Sequence, residues 1–598
     1  MCGIAGIAQK GVQKHDKEVR AMIAHLAHRG PDATGFHASE SCTLGHARLS
    51  IIDLATGTQP MSDENAVVTF NGEIFGYQDI RRRLSSYPFK TNSDTEVILA
   101  LYATQGENLP KHLPGQFAFA LWDKREQKLV CARDRFGEKP FYYAIGRTGE
   151  FIFGSEIKAV LASGLVDPVL DRDSLAHYLK HLYVHPTKTI YKNIHALPPA
   201  HLLVWKDRKV SVECYWNFPL TDTSVSLADA AEKLHTLLDR SVQKQLVADV
   251  PVGAFLSGGL DSSTVVALAS RYTDRLKTFS FRFDTERDET PFAREIAERY
   301  GTDHIELTQK HHDLGNLLKT MQEVYDEPFA DSSNIPTYLL SEAARKHVTV
   351  ALTGDGGDEL FGGYAHWYRP LLAMQSLGKQ PSILSVAKLY LQARANSARR
   401  TEYLGARFKK KFSSLLHAHE NQDIAFDDHM LASLANIPLP ATFESNGAQT
   451  LDDVMRADLQ NYMPGDILVK IDRASMAHGL ELRAPFLDKE FAEFAISLPW
   501  QLKISKEGEK RIFREAFSEL WTEGVRTRVK QGFGAPVSRW LAEPSVARTK
   551  EILNDPRARV FSLLSFQKTR PHVSANDQRT WSLLVLALWA ESHDFALG

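Results

Sequence analysis

A layered α+β domain followed by a parallel-sheet α/β domain with a helix-rich C-terminal part is the fold class that the sequence predicts. Three observations lead there. The chain has 598 residues, and single hydrophobic cores stop growing at roughly 250–300 residues, so two or three domains are expected. Residues 1–216 read as short strands and turns with a few helices, the pattern of a mixed layered domain. Beyond residue 226 strands alternate with helices, the pattern of a parallel sheet. The polar, Pro/Thr/Ser-containing stretch 217–226 reads as the linker, giving expected domains 1–216 and 226–598.

In the first domain, residues 67–70 (VVTF) form a strand running into Asn71-Gly72, a turn signal. Residues 117–122 and 128–132 flank Asp123-Lys124-Arg125 as a hairpin, and 141–143 with 151–153 repeat the pattern around Gly146 and Gly149. Between these pairs, 94–103 (DTEVILALYA) has helical spacing. In the second domain Leu227, Ala231, Leu234, Leu238, Val242 and Leu246 recur at helical steps. A strand at 250–256, a turn at 257–261 and a helix at 263–271 follow. Next come a strand at 277–283, a helix at 291–300 and a third strand at 347–352. From Arg369 onward the chain is helix-rich, and the Lys/Arg-rich run 394–411 reads as a solvated helical face. Residues 581–590 (WSLLVLALWA) reach half of the ~20 apolar residues that span a bilayer, so they read as a buried terminal helix.

A composition of 43% apolar and 24% charged residues is that of a soluble globular enzyme. The net charge of -2 supplies no overall field toward nucleic acid or an acidic membrane, so neither is an expected partner, although local basic patches are left open. Cys2, Cys42, Cys131 and Cys214 contain no C-x-x-C pair, which argues against a disulfide framework and a zinc site. A reducing, cytoplasmic location fits this usage, and the N-terminus has no basic-then-apolar leader pattern.

Cys2 directly follows the initiator methionine. Trimming that methionine would leave a thiol and an α-amine on one residue, and an amine with a reference pKa of about 7.7–8.0 can take the thiol proton. Position alone leaves an incidental cysteine equally acceptable. The surroundings shift the balance: Cys2-Gly3-Ile4-Ala5-Gly6, His28-Arg29-Gly30-Pro31-Asp32, His46-Ala47-Arg48-Leu49-Ser50, Asn71-Gly72-Glu73 and Ser93-Asp94 occur in order. Together they resemble the class II glutamine amidotransferase domain, an N-terminal-nucleophile hydrolase sandwich. The resemblance implies Cys2 as nucleophile, with Asn71 and Gly72 as the oxyanion hole. Arg48 is implied on the glutamine carboxylate, Glu73 and Asp94 on its ammonium. The residue types suit those tasks, because a guanidinium fork fits a carboxylate and two aimed donors fit a tetrahedral oxyanion.

The second constellation is Ser257-Gly258-Gly259-Leu260-Asp261-Ser262-Ser263, placed between a strand and a helix. Glycines and a helix N-terminus make an anion site, whereas an aspartate there requires a mediating Mg²⁺. No G-x-x-x-x-G-K-[ST] occurs, so the turn is not a P-loop. It resembles the S-G-G-x-D-S loop of the ATP pyrophosphatase superfamily. Further on, Thr353-Gly354-Asp355-Gly356-Gly357-Asp358-Glu359 and Lys510 in Glu509-Lys510-Arg511 resemble motifs of the asparagine synthetase family. Ser475-Met476-Ala477-His478, Arg483-Ala484-Pro485-Phe486-Leu487-Asp488 and Lys530-Gln531-Gly532-Phe533 with Pro536 do so as well. The resemblance spans nearly the whole chain and is weakest over 370–450.

It implies an ATP pyrophosphatase-type domain using ATP and Mg²⁺. Asp261 and Asp358 would hold the metal, and Ser257, Gly258, Gly259, Ser262 and Gly354 the pyrophosphate. Leu256, Ser280 and Phe281 would border adenosine. Lys510 and Asp355 are implied as catalytic, Asp355 standing where some members carry a longer glutamate. The implied substrates are glutamine, ATP and aspartate or another carboxylate, with ammonia passing through an apolar internal tunnel. A same-scaffold amidotransferase acting on a sugar or secondary-metabolite carboxylate is the main rival. An intramolecular cyclase is disfavoured by the intact Cys2, Arg48, Asn71 and Asp94, and a non-catalytic relic by the retained Asp261, Asp358 and Lys510. A homodimer is left open as the assembly.

Overall fold

A computed structural model describes every residue except 12–13, 283–287, 309–312, 378, 396–398, 423, 437–449, 506–507, 529–533 and 598. The predicted strand end at Phe283 and the motif 530–533 therefore lie outside the described residues. Two six-stranded antiparallel sheets occupy the N-terminal part. The first runs β10-β8-β9-β1-β3-β2 and the second β12-β11-β7-β6-β5-β4. In chain order these are β1 (Gly3–Ala8), β2 (Ala33–Ala38), β3 (Cys42–Arg48), β4 (Met61–Ser62), β5 (Ala66–Glu73) and β6 (Gln116–Asp123). They continue with β7 (Lys128–Arg133), β8 (Tyr142–Ile145), β9 (Phe151–Gly154), β10 (Ile194–Ala196), β11 (His201–Lys206) and β12 (Lys209–Cys214).

Strand alternation builds the layers. In β1, Ile4 and Ala8 point into the core between the sheets, while Ala5 and Ile7 point the other way onto the Asp16–Ala24 helix. In β5, Val67 faces the inter-sheet core, while Val68 and Phe70 pack with Val97 and Ile98 of the Thr95–Gln105 helix. Sheets face sheets and helices cover the outside, which is the sandwich that the sequence predicts.

The C-terminal part is built on a five-stranded parallel sheet in the order β15-β14-β13-β16-β17. Its strands are β13 (Val252–Phe255), β14 (Lys277–Arg282), β15 (Asp303–Thr308), β16 (Val350–Leu352) and β17 (Glu481–Arg483). After β13 the chain moves outward through β14 to β15, then returns to the other side of β13 as β16. That reversal creates a switch point between β13 and β16, with a crevice at their C-terminal ends. Helices form the rest, including the apolar Gln578–Ser592 helix, whose Trp581 and Trp589 indoles donate to the carbonyls of Ala330 and Asp326. Among the described residues no helix is long and apolar enough to cross a membrane.

Local readings needed correction at several points. Asn71-Gly72 is not a turn: β5 continues to Glu73, because Gly72 pairs opposite Phe117 where any Cβ would overlap the Gln116 carbonyl. Asp261 lies inside the Leu260–Ala269 helix rather than before it. The third strand is only Val350–Leu352, and β15 and β17 were not predicted. The run 394–411 is only partly solvated. Within it, the Arg400–Lys411 helix buries Gly405 and Ala406, and a Cβ on Gly405 would meet Ala373 and Met374 of the Ala365–Ser376 helix.

Candidate functional site

Strand parity assembles the first centre. Cys2 continues the inward face of β1 that carries Ile4, and Asn71 continues the inward face of β5 that carries Val67, so the two meet between opposed sheets. The Cys2 N–H donates to Asn71 Oδ1 at 2.9 Å, and its thiol approaches the Leu49 carbonyl at 3.7 Å. Burial pushes the Cys2 thiol up. The Asn71 Nδ2 is buried without a hydrogen-bond partner, the state expected of a donor held for a ligand. All four cysteines are free thiols.

Arg48 lies beside this pair, its Nη2 donating to the Asp53 carbonyl at 2.7 Å and its Nη1 to that of Leu54 at 3.3 Å. Glu73 and Asp94 are close neighbours, both buried. Burial, with Asp94 adding to it, raises the Glu73 carboxyl well above its ordinary range. Asp94 rises to about 6 through burial, although its carboxylate accepts the Ile74 N–H at 3.0 Å. Cys2, Arg48, Asn71, Glu73 and Asp94 are thus all buried in the N-terminal half.

Residues of the neighbouring motifs, to which the sequence assigns no role, surround this centre. Arg29 donates to the Cys2 carbonyl at 3.1 Å and forks onto Asp472 at 2.8 and 3.0 Å, with Glu156 at 2.9 Å. Glu481 and Arg483, both on β17, reach the first centre from the other half of the chain. The Met1 ammonium lies 2.6 Å from Glu481, and Arg483 Nη2 lies 3.1 Å from Glu73. Burial opposes ionisation of Glu481, but the Met1 ammonium and Arg483 hold it down at about 2. An apolar cluster of Met1, Leu49, Ile51, Val350 and Met476 joins the halves beside Cys2.

The second centre occupies the switch point. Ser257 and Ser262 bond across the turn at 3.0 Å, and Gly258 takes φ +71 where a Cβ would press on the Ala293 backbone. A cavity of about 950 Å³ opens here. Leu256, Ser257 and Gly259 line it from the turn after β13, Asp261 and Ser262 from the start of the Leu260–Ala269 helix, and Ser280 with Phe281 from β14. The loop after β16 adds Gly354, Asp355 and Asp358. Gly258 does not line it; instead its carbonyl accepts Arg528 at 2.8 Å.

Lys510 stands in left-handed backbone at φ +54 and brings its ammonium between two carboxylates. Nζ is 2.6 Å from each Asp261 oxygen and 2.5 Å from Asp358. Burial lowers the Lys510 pKa but Asp261 and Asp358 outweigh it, for a net rise to about 12. Two carboxylates converging on one cationic atom suit a divalent ion that completes its shell with phosphate oxygens and water, as Mg²⁺ does. Asp355 is not paired with Lys510. Desolvation raises its carboxyl above the ordinary range and the Lys470 ammonium only partly offsets this; Lys470 itself donates to Asp331 at 3.0 Å. On the far wall Tyr364, Trp367 and Tyr462 pack at 4.7 and 5.1 Å, with Tyr364 donating to Glu359 at 2.5 Å.

Comparison with known proteins agrees with this division. The asparagine synthase family model matches residues 233–591, and a glutamine amidotransferase domain model matches residues 1–216. The chain is 31% identical to asparagine synthetase [glutamine-hydrolyzing] 1 of Bacillus subtilis (strain 168), over 98% of this chain and 96% of that protein. It is 33% identical to a putative asparagine synthetase [glutamine-hydrolyzing] of Mycobacterium bovis, over 95% and 93%. It is also 27% identical to amidase chry2 of Gibberella zeae, over 95% and 94%.

Proposed function

Because the chain belongs to the asparagine synthase family and opens with a glutamine amidotransferase domain, we propose that it is an ATP-dependent carbon–nitrogen ligase that amidates aspartate to asparagine. Cys2, freed of Met1, gives its thiol proton to its own α-amine and attacks the side-chain amide carbon of glutamine. Asn71 Nδ2 and the Gly72 N–H receive the oxyanion, while Arg48 holds the substrate carboxylate and Glu73 with Asp94 its ammonium. The α-ammonium returns that proton to the amide nitrogen, and collapse expels ammonia and leaves a γ-glutamyl thioester that water hydrolyses to glutamate.

At the second centre the acceptor carboxylate attacks the α-phosphorus of ATP, and pyrophosphate departs toward Ser257, Gly259 and the helix-borne Ser262, with Gly354 facing it and Gly258 shaping the turn without lining the cavity. Leu256, Ser280 and Phe281 border the adenosine. Asp261 and Asp358 would hold Mg²⁺, which when bound screens the phosphate charge. Lys510 then turns from these carboxylates toward the α-phosphate. Ammonia attacks the acyl-adenylate, AMP leaves and the amide forms. The apolar side chains of Leu49, Ile51, Val350 and Met476, which remain once Met1 is removed, support a dry path for uncharged ammonia. Asp355 contributes through Lys470 and Asp331 rather than by touching Lys510.

The observation that carries the reading is the convergence of Asp261 and Asp358 on Lys510 at the mouth of the switch point. A second reading, amidation of a larger carboxylate, draws on the aromatic wall of Tyr364, Trp367 and Tyr462 in the same cavity. Purified protein with Mg-ATP, glutamine and a panel of carboxylates separates the two. Aspartate-dependent pyrophosphate with equimolar asparagine supports the first reading, with Cys2→Ala losing glutamine but keeping ammonia as donor. Glutamine hydrolysis without aspartate turnover transfers the assignment to the second.

A further inference from the structure

The Ile383–Ala395 helix lies where motif matching is weakest, and none of its described side chains is buried. Four large apolar residues of this one helix are exposed: Ile383 at 70%, Leu384 at 83%, Tyr390 at 44% and Leu391 at 66%. At helical spacing, Ile383, Ala387 and Leu391 stand in line, with Leu384 and Tyr390 on either flank, so they form one outward strip. Half-buried Val386, Leu389 and Ala393 occupy the other side, and Tyr390 meets Tyr403 of the Arg400–Lys411 helix at 5.3 Å.

Charge accompanies the strip. Between Lys379 and Lys411 the sequence holds nine lysines and arginines and a single acid, Glu402, although the whole chain is slightly acidic. Lys388, Arg394, Arg399, Arg400, Arg407, Lys410 and Lys411 are exposed, and Arg399 takes Glu402 as its ion pair. A second copy of the chain fits this face poorly, because twofold pairing would set like charges against each other. Apolar side chains on one helix face flanked by Lys and Arg suit the headgroup layer of an anionic bilayer. We propose that this helix pair docks the enzyme on an anionic lipid surface, the apolar strip entering the headgroup layer and the flanking cations meeting lipid phosphates. The bulk charge conceals this patch, which explains why composition pointed away from membranes.

The test is co-sedimentation of the full chain with phosphatidylcholine vesicles, with and without phosphatidylglycerol. Wild type, Leu384→Glu/Leu391→Glu and Lys409→Gln/Lys410→Gln/Lys411→Gln are compared, with glutamine hydrolysis as the folding control. Wild type is expected on the anionic vesicles alone and released by salt. The triple charge variant weakens binding about 100-fold, and the double glutamate variant abolishes it, both with hydrolysis unchanged. Equal behaviour on neutral and anionic vesicles, no binding to either, or binding indifferent to Leu384→Glu/Leu391→Glu would overturn the proposal. So would a wild-type dimer in analytical ultracentrifugation that the glutamate pair dissociates, which would assign the face to a second copy.

Discussion

Arg483 and Glu73 are paired across the two halves of the chain, guanidinium to carboxylate, at 3.1 Å. The same guanidinium lies 2.7 Å from Glu481, and the Arg483 carbonyl accepts the Thr353 N–H at 2.8 Å, where the acidic loop begins. One residue therefore touches both centres, by side chain at one and by backbone at the other.

Arg483→Gln leaves Glu73 and Glu481 buried without that cation. Removing one partner of a buried pair costs about 3–5 kcal/mol, so the urea midpoint should fall accordingly. Glutamine-dependent turnover should drop further than ammonia-dependent turnover. Equal losses with both donors would show that the pair supports folding without shaping the glutamine pocket.

The pH dependence of glutamine use follows from Asp94. Burial raises its carboxyl to about 6, so it is neutral below that pH and charged above it. An ammonium needs the charged form. Glutamine kcat/KM should therefore decline as pH falls through about 6, approaching tenfold per unit. Asp94→Asn should lower the plateau and remove this limb, while ammonia-dependent synthesis keeps its own profile.

Lys510→Gln separates the centres in the other direction. The ammonium between Asp261 and Asp358 disappears, and with it the charge proposed to face the α-phosphate. Pyrophosphate formation should fall about 100–1,000-fold, the range for removal of one aimed donor. Glutamine hydrolysis should stay within twofold of wild type, and retained pyrophosphate release would remove Lys510 from the adenylation step.

Retention of Met1 should silence one half only. Met1 is buried against Glu481, and while present it occupies the α-amine of Cys2 in a peptide bond. A version with an N-terminal extension should use ammonia but not glutamine, and intact-mass measurement of active enzyme should show Met1 absent.

Much of this was legible in the residue order. The apolar runs 117–122 and 128–132 around Asp123-Lys124-Arg125 gave the hairpin of β6 and β7, and the turn after β13 announced itself through Ser257-Gly258-Gly259. Asn71-Gly72 misled because the pair is a turn signal in isolation, whereas here the glycine lets β5 press against β6. β17 is three residues long and carries no period to detect. Glu481 and Arg483 were invisible as site residues because their partners lie more than 400 positions away. Where the shorter Asp355 carboxyl sits relative to Lys510 depended on three-dimensional packing that the residue order does not encode.

Arg29 grips the carbonyl of Cys2 with one nitrogen and Asp472 with the others. The backbone of Cys2 is thus anchored, through Arg29, to a residue encoded far downstream. The two halves are therefore not expected to behave as interchangeable cassettes. A gene fusion that grafts residues 1–216 onto a different adenylating partner inherits the thiol and Glu156 but loses Asp472, one of the two acids that hold Arg29. Successful recombinants within this lineage would have to exchange Arg29 and Asp472 together.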